Sequence, residues 1–184
     1  MNSVIICNKV GGVSSESARN SIDRQLISSF IVAFEGTGEV TVNIFTLHAM
    51  DKICQLKPWI HTWLKDQMSS TKKYIETGSK FDEWKEKPGV ALFIYAQLIR
   101  EYGWDNYKAI FRQYEKTQPD LHSEQEKMDY WITIFSRQVG QNLVPLFKFW
   151  GFPVSQSAID NLQPLPIPEI FDEFIQIAPE RYSI

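Results

Sequence analysis

From Val40 onward the apolar residues fall at helical steps, interrupted mainly at glycines and prolines. Val40, Ile44, Leu47, Met50 and Cys54 recur every three or four residues, which lines one face of a helix. Pro58 is expected to end that segment, and a second helix spans about residues 60–75 and stops at Gly78. Pro88 precedes a mostly apolar helix over 89–102, carrying Val90, Leu92, Phe93, Ala96, Leu98 and Ile99. Gly103 suits a left-handed cap at its end. The next helix starts near Asp105, places Tyr107, Ile110, Phe111 and Tyr114 at core spacing, and closes before Pro119. Ser123 and Glu126 fit a capping box at the head of an amphipathic helix through Met128, Trp131, Ile132, Phe135 and Val139. Asn142 suits the cap of a short helix through Leu146 and Phe149, ended by Gly151 and Pro153, and residues 155–162 add a turn or two. The stretch Pro164-Leu165-Pro166-Ile167-Pro168 is expected to be extended and to end compact folding, with 169–177 able to form a last helix. The sum is about six to eight helices on short loops, without internal repeat or low-complexity tract. The fold class is mainly α, a multi-helix array.

Composition narrows the function classes. The chain has 184 residues, enough for one domain with a sizeable core or a large piece of a bigger one. A formal net charge of −3 argues against generic nucleic-acid binding, which needs a clustered basic surface. Lys72-Lys73 and Lys85-Glu86-Lys87 read as solvated helix faces. No uncharged apolar run approaches the roughly 20 residues of a spanning helix, and the N-terminus lacks the pattern of a signal peptide. The default expectation for the chain as written is a cytoplasmic protein.

Residues 1–33 differ in character from the rest. Val4-Ile5-Ile6-Cys7 could form a short strand, Gly11-Gly12 breaks it, and Ser14 or Ser15 could cap a helix through Ala18, Ile22 and Leu26. Cys7 and Cys54 could pair, but their spacing matches no zinc ribbon or CxxC redox motif. Two free thiols is the simpler expectation.

One short motif carries chemistry. Gly36-Thr37-Gly38 delivers Glu39 onto the first turn of the first regular helix. A glutamate there is favoured by the helix dipole alone. It is also well placed to serve as the third ligand of a zinc site. A zinc peptidase needs two imidazoles, one carboxylate, an open position for water and a general base. Histidines one turn apart in an HExxH helix supply the imidazoles, and its glutamate the base.

The segment Phe34-Glu35-Gly36-Thr37-Gly38-Glu39-Val40-Thr41-Val42-Asn43 resembles the third-ligand region of the enhancin-like zinc metallopeptidases, peptidase family M-sixty, of gluzincin type. The similarity continues through Tyr95-Ala96-Gln97-Leu98-Ile99, Glu101-Tyr102-Gly103-Trp104-Asp105, Tyr107 and Phe111-Arg112-Gln113-Tyr114. It extends to Lys127-Met128-Asp129, Trp131, Phe135-Ser136, Asn142-Leu143-Val144-Pro145-Leu146-Phe147 and Trp150-Gly151-Phe152-Pro153. The same pattern resembles the C-terminal part of the vertebrate TRP-channel-associated factors. The resemblance implies a C-terminal helical region of the metallopeptidase domain over 34–168, a divergent segment over 1–33, and a tail or short helix over 169–184. It implies zinc as the parent family's cofactor, hydrolysis of glycosylated, mucin-type proteins, and Glu39 as a metal ligand. It also raises Asn142, Trp104 and Trp150 as groove residues, although rings beside cap glycines commonly cover helix ends.

The departure lies upstream. The family's HExxH precedes the glutamate by a short distance, where this chain reads Glu-Ser-Ala-Arg-Asn-Ser-Ile-Asp-Arg-Gln-Leu-Ile-Ser-Ser-Phe-Ile over 16–31. No imidazole and no HE pair stand there. Asp23 or Glu16 could bind a metal, but an all-carboxylate zinc site would be unusual. His48 is mid-helix after Glu39, and His61 and His122 stand alone near expected helix starts, so none repairs the set. No serine–histidine pairing, Walker loop or dinucleotide fingerprint is present. The expectation is a chain with no catalytic residue of its own, no bound zinc and no assigned substrate-binding residue. Three readings of the gap stay open: a truncated or alternatively spliced product, a gene-model error, or a pseudoenzyme. The alternative function is a protein-interaction module for a glycoprotein or membrane-protein partner, as in the channel-associated factors.

Overall fold

The computed structural model describes residues 38–57 and 62–182. Among these residues there are seven α-helices and no strand. In chain order they are α1 Gly38–Lys52, α2 Thr62–Glu76, α3 Phe81–Lys85, α4 Pro88–Thr117, α5 Glu124–Val139, α6 Val144–Phe149 and α7 Gln156–Leu162. Two 3-10 turns, Ile175–Ile177 and Pro179–Arg181, follow. The mainly α expectation holds. The strand and helix anticipated before residue 34, and Pro58, lie outside the described residues.

The axis of the array is α4. In its first half every residue from Gly89 to Ile99 is buried, so this segment has no polar face and must be surrounded. Helices α1, α2, α3 and α5 all pack against α4. Gly103 divides it with φ 75° and ψ 170°. This positive-φ, extended conformation strongly favours glycine, so the expected left-handed cap is instead a break between two helical runs. Beyond it Trp104, Tyr107, Ile110, Phe111 and Tyr114 form an amphipathic stripe. Tyr107, Phe111, Trp131 and Phe135 then meet in one aromatic cluster, with Tyr107 and Phe135 5.1 Å apart edge to face.

Helix ends follow local chemistry. Ser123 accepts from the Glu126 amide at 3.2 Å, and the Glu126 carboxylate takes the Ser123 amide at 3.0 Å, closing the capping box. The exposed Glu126 carboxyl lies below its usual value because the His122 and Ser123 amides hydrogen-bond to it. The N-cap of α6 is Leu143 rather than the expected Asn142, which lies one residue earlier and accepts from the Val144 amide at 3.0 Å. Helix α1 ends before Pro58, at Lys52, because Gln55 turns left-handed and the Leu56 amide returns to the Met50 carbonyl at 3.0 Å. Helices α2 and α6 end in matching turns, with Ser79 bonding back to Tyr74 and Phe152 to Phe147.

Those last two turns touch. Gly151 has φ 87°, and a Cβ there would stand 2.0 Å from the Ser79 carbonyl oxygen. Only glycine satisfies both demands. The Tyr74 hydroxyl staples the contact by donating to the Trp150 carbonyl at 2.8 Å.

Two expectations fail. Helix α3 is absent from the sequence reading: five residues are too short for periodicity, yet Trp84 is wholly buried and packs 4.7 Å from Phe152. The proline-rich stretch also does not end the packed core. The Pro166 carbonyl accepts the Asn142 amide at 2.8 Å, and Ile170, Phe174, Ile175, Ala178 and Tyr182 are all buried.

Candidate functional site

The site implied by the sequence would be organised by α1. That helix begins at Gly38, so Glu39 stands in its first turn; its side chain lies outside the described residues, as do the stretch 16–31 and His61. The stripe Val40, Ile44, Leu47 and Met50 seats α1 against the core.

Near the other end of α1 is an arrangement the sequence reading did not single out. Asp51 is buried and accepts from the Trp104 indole at 2.5 Å and from Lys57 at 3.0 Å. Burial alone would raise its carboxyl, and a helix C-terminus disfavours a negative charge. The Lys57 and Trp104 hydrogen bonds outweigh the burial and hold it below the ordinary carboxylate value. His48 lies one turn earlier, with its ring edge-on to Trp104 at 4.8 Å. Its Nε2 is buried without a hydrogen-bond partner. Desolvation, then Lys108 and Lys52, lower its pKa and outweigh the nearby Asp51, so this imidazole is a neutral packing group at pH 7. Cys54, just beyond, is disulfide-bonded rather than a free thiol; Cys7 lies outside the described residues.

A second buried carboxylate organises the opposite end of the chain. Asp172 Oδ1 accepts the Phe174 and Ile175 amides at 2.9 and 2.8 Å. Its Oδ2 accepts from Arg100 at 2.9 Å and from the Gln97 amide. Gln97 Oε1 in turn accepts from the Trp150 indole at 2.8 Å. Arg181 donates to the Ile75 and Phe149 carbonyls, both at 2.7 Å, and lies 5.1 Å over the Phe149 ring. It thereby satisfies carbonyls at the ends of α2 and α6.

The residues raised for a substrate groove are therefore occupied. Trp104, Trp150 and Asn142 are buried, and their polar groups serve Asp51, Gln97 and Val144. His122 is exposed and lies 3.5 Å from Asp120. A half-open cavity of about 470 Å³ lies between α2 and the start of α4, with Gln67, Lys73, Glu83, Lys87 and Gly89 among its walls. His48 does not line it.

Zinc chemistry can be tested against these groups. Among the described residues no three His, Cys, Asp or Glu side chains come together to hold a metal ion. Glu39 brings one carboxylate where a catalytic zinc takes three protein ligands.

A helical array around a buried central helix, led by an acidic first turn, agrees with the class that the Gly-Thr-Gly-Glu segment implied. The chain belongs to the Peptidase M60, enhancin and enhancin-like family, whose profile matches residues 29–151. It is similar to a TRPM8 channel-associated factor homolog of Xenopus laevis, 28% identical over 136 residues, or 72% of this chain and 15% of that protein. The Danio rerio homolog is 31% identical over 133 residues, 71% of this chain and 14% of that one. TRPM8 channel-associated factor 1 of Homo sapiens is 28% identical over 134 residues, again 71% and 14%. The chain thus spans only a small part of these relatives' length. No solved structure matches it. Among the described residues no helix is long and apolar enough to cross a membrane.

Proposed function

We propose that this chain is a non-catalytic member of the M60 family that serves as a protein-interaction module for a membrane-channel partner. One observation carries the first half of the reading. The segment before Glu39 contains no histidine, so one carboxylate faces the task of three ligands and a general base. Peptidase activity would then require groups this chain does not supply. The buried roles of Trp104, Trp150 and Asn142 support the same view, because they leave no aromatic groove of those residues for a glycan. The partner class comes from the relatives, which are named for association with the TRPM8 channel.

Calorimetric titration with zinc, run beside a cleavage assay on a mucin-type glycoprotein, tests the catalytic half. Neither binding in the micromolar range nor cleavage is expected. Zinc-dependent cleavage that disappears in Glu39→Ala would restore the peptidase reading. The interaction half predicts saturable binding of the purified chain to detergent-solubilised TRPM8-type channel. No binding at micromolar protein would remove it.

A further inference from the structure

The segment 168–182 lies on the helical body as a bound peptide would. It contains no α-helix, only two 3-10 turns. It covers a face built by α2, the first half of α4 and α6. Phe174 packs edge-on to Phe93 at 5.1 Å and to Trp150 at 5.5 Å, and Tyr182 meets Phe149. At the centre Gln97 and Arg100 present an amide and a guanidinium to Asp172, whose side chain is 1% exposed. The linker that joins this segment to α7 is exposed at Gln163, Pro164 and Pro166.

The groove and its occupant come from different parts of the chain. Gln97, Arg100, Phe93, Phe149 and Trp150 all fall within the residues that match the family, whereas 168–182 falls beyond them. A groove with a buried amide and a partly exposed guanidinium, flanked by aromatic rings, recognises a carboxylate followed two residues later by an aromatic side chain. Charge-assisted hydrogen bonds fix the register, and the apolar pockets add contact area.

We propose that this face is a receptor groove for an acidic–aromatic peptide segment, filled in this chain by its own Asp172-Glu173-Phe174, which acts as an exchangeable latch. Opening the latch uncovers Phe93, Phe149 and Trp150 and releases the Ile75 and Phe149 carbonyls from Arg181, while the rest of the helical body stays packed. The proposal does not depend on the function proposed above, because none of its residues is a candidate metal ligand.

The test uses the full chain with a protease site placed in the exposed linker at 163–166. After folding and cleavage, circular dichroism follows the helices and a labelled synthetic peptide of residues 168–182 is offered in excess. The expected result is retained helicity, with the labelled peptide exchanging into the groove. A peptide carrying Asp172→Ala should bind about tenfold to a hundredfold more weakly. Hydrogen exchange on the uncut chain gives a second readout: the Phe174 and Ile175 amides should open without loss of protection along α4. Loss of helicity on cleavage, equal binding of the two peptides, or exchange of these amides only with global unfolding would each overturn the proposal.

Discussion

Two buried aspartates, Asp51 and Asp172, sit in networks that include a tryptophan indole, yet the groups around their carboxyls differ. Asp51 lies near the C-terminal end of α1, where the helix dipole opposes it. It relies on Trp104 and on Lys52 and Lys57, whose side chains are 51% and 57% exposed. Asp172 heads a turn whose amides point at it, and its remaining oxygen is matched by Gln97 and Arg100. The first carboxylate is bound by an indole and by exposed ammonium groups, the second by backbone and side-chain amides and a guanidinium. A buried charge is cheap to keep when its partners are already positioned.

Four measurements can break or sharpen that contrast. Asp172→Ala should cost the most, about 3–5 kcal/mol in urea denaturation, because it leaves the buried Gln97, Phe174 and Ile175 N–H donors without an acceptor. Asp51→Ala should cost less, about 1–3 kcal/mol, since its lysines can hydrate and only the Trp104 indole is left unmatched. Equal losses would erase the distinction. Ser123→Ala, remote from both, should cost about 1 kcal/mol through the lost cap and calibrates the series.

The pH series gives the smallest effects. The Asp51 carboxyl is lowered from 3.8 in the folded chain, so the unfolded state binds the proton first on acidification. Its contribution is complete above about pH 4 and fades as pH falls through the lower folded value. Asp51→Asn should flatten that part of the acid limb. His48 is lowered from 6.5, so stability should also decline as pH drops below that value, and less so in His48→Gln. An acid limb unchanged in both variants would assign the pH dependence to other groups.

The helices were legible where their signals are local. The Ser123–Glu126 box, the stop at Gly78 and the break at Gly103 each depend on a few adjacent residues, and each is where the spacing put it. What escaped depends on contacts across long stretches of chain. Gln97 reads as an unexplained polar residue in an apolar run, and residues 150 and 172, 53 and 75 positions away, account for it. Asp51 is similar: the polar residue beside a buried stripe finds its partner in Trp104. The tail was misread because prolines signal an extended backbone but not whether the residues beyond them are buried. The Glu39 motif disclosed the family, yet the chemistry of a metal site resides in the set of ligands, and one member cannot stand for the others.

The contact of the two helix-ending turns has a kinetic consequence. Tyr74 needs the Trp150 carbonyl, 76 residues on, and the Ile75 carbonyl needs Arg181, 106 residues on. Large chain loops must therefore close before α2 is fully terminated, which gives a mainly helical protein some of the slow search associated with sheets. During synthesis α2 can form early, but its last turn is completed only when residue 181 becomes available.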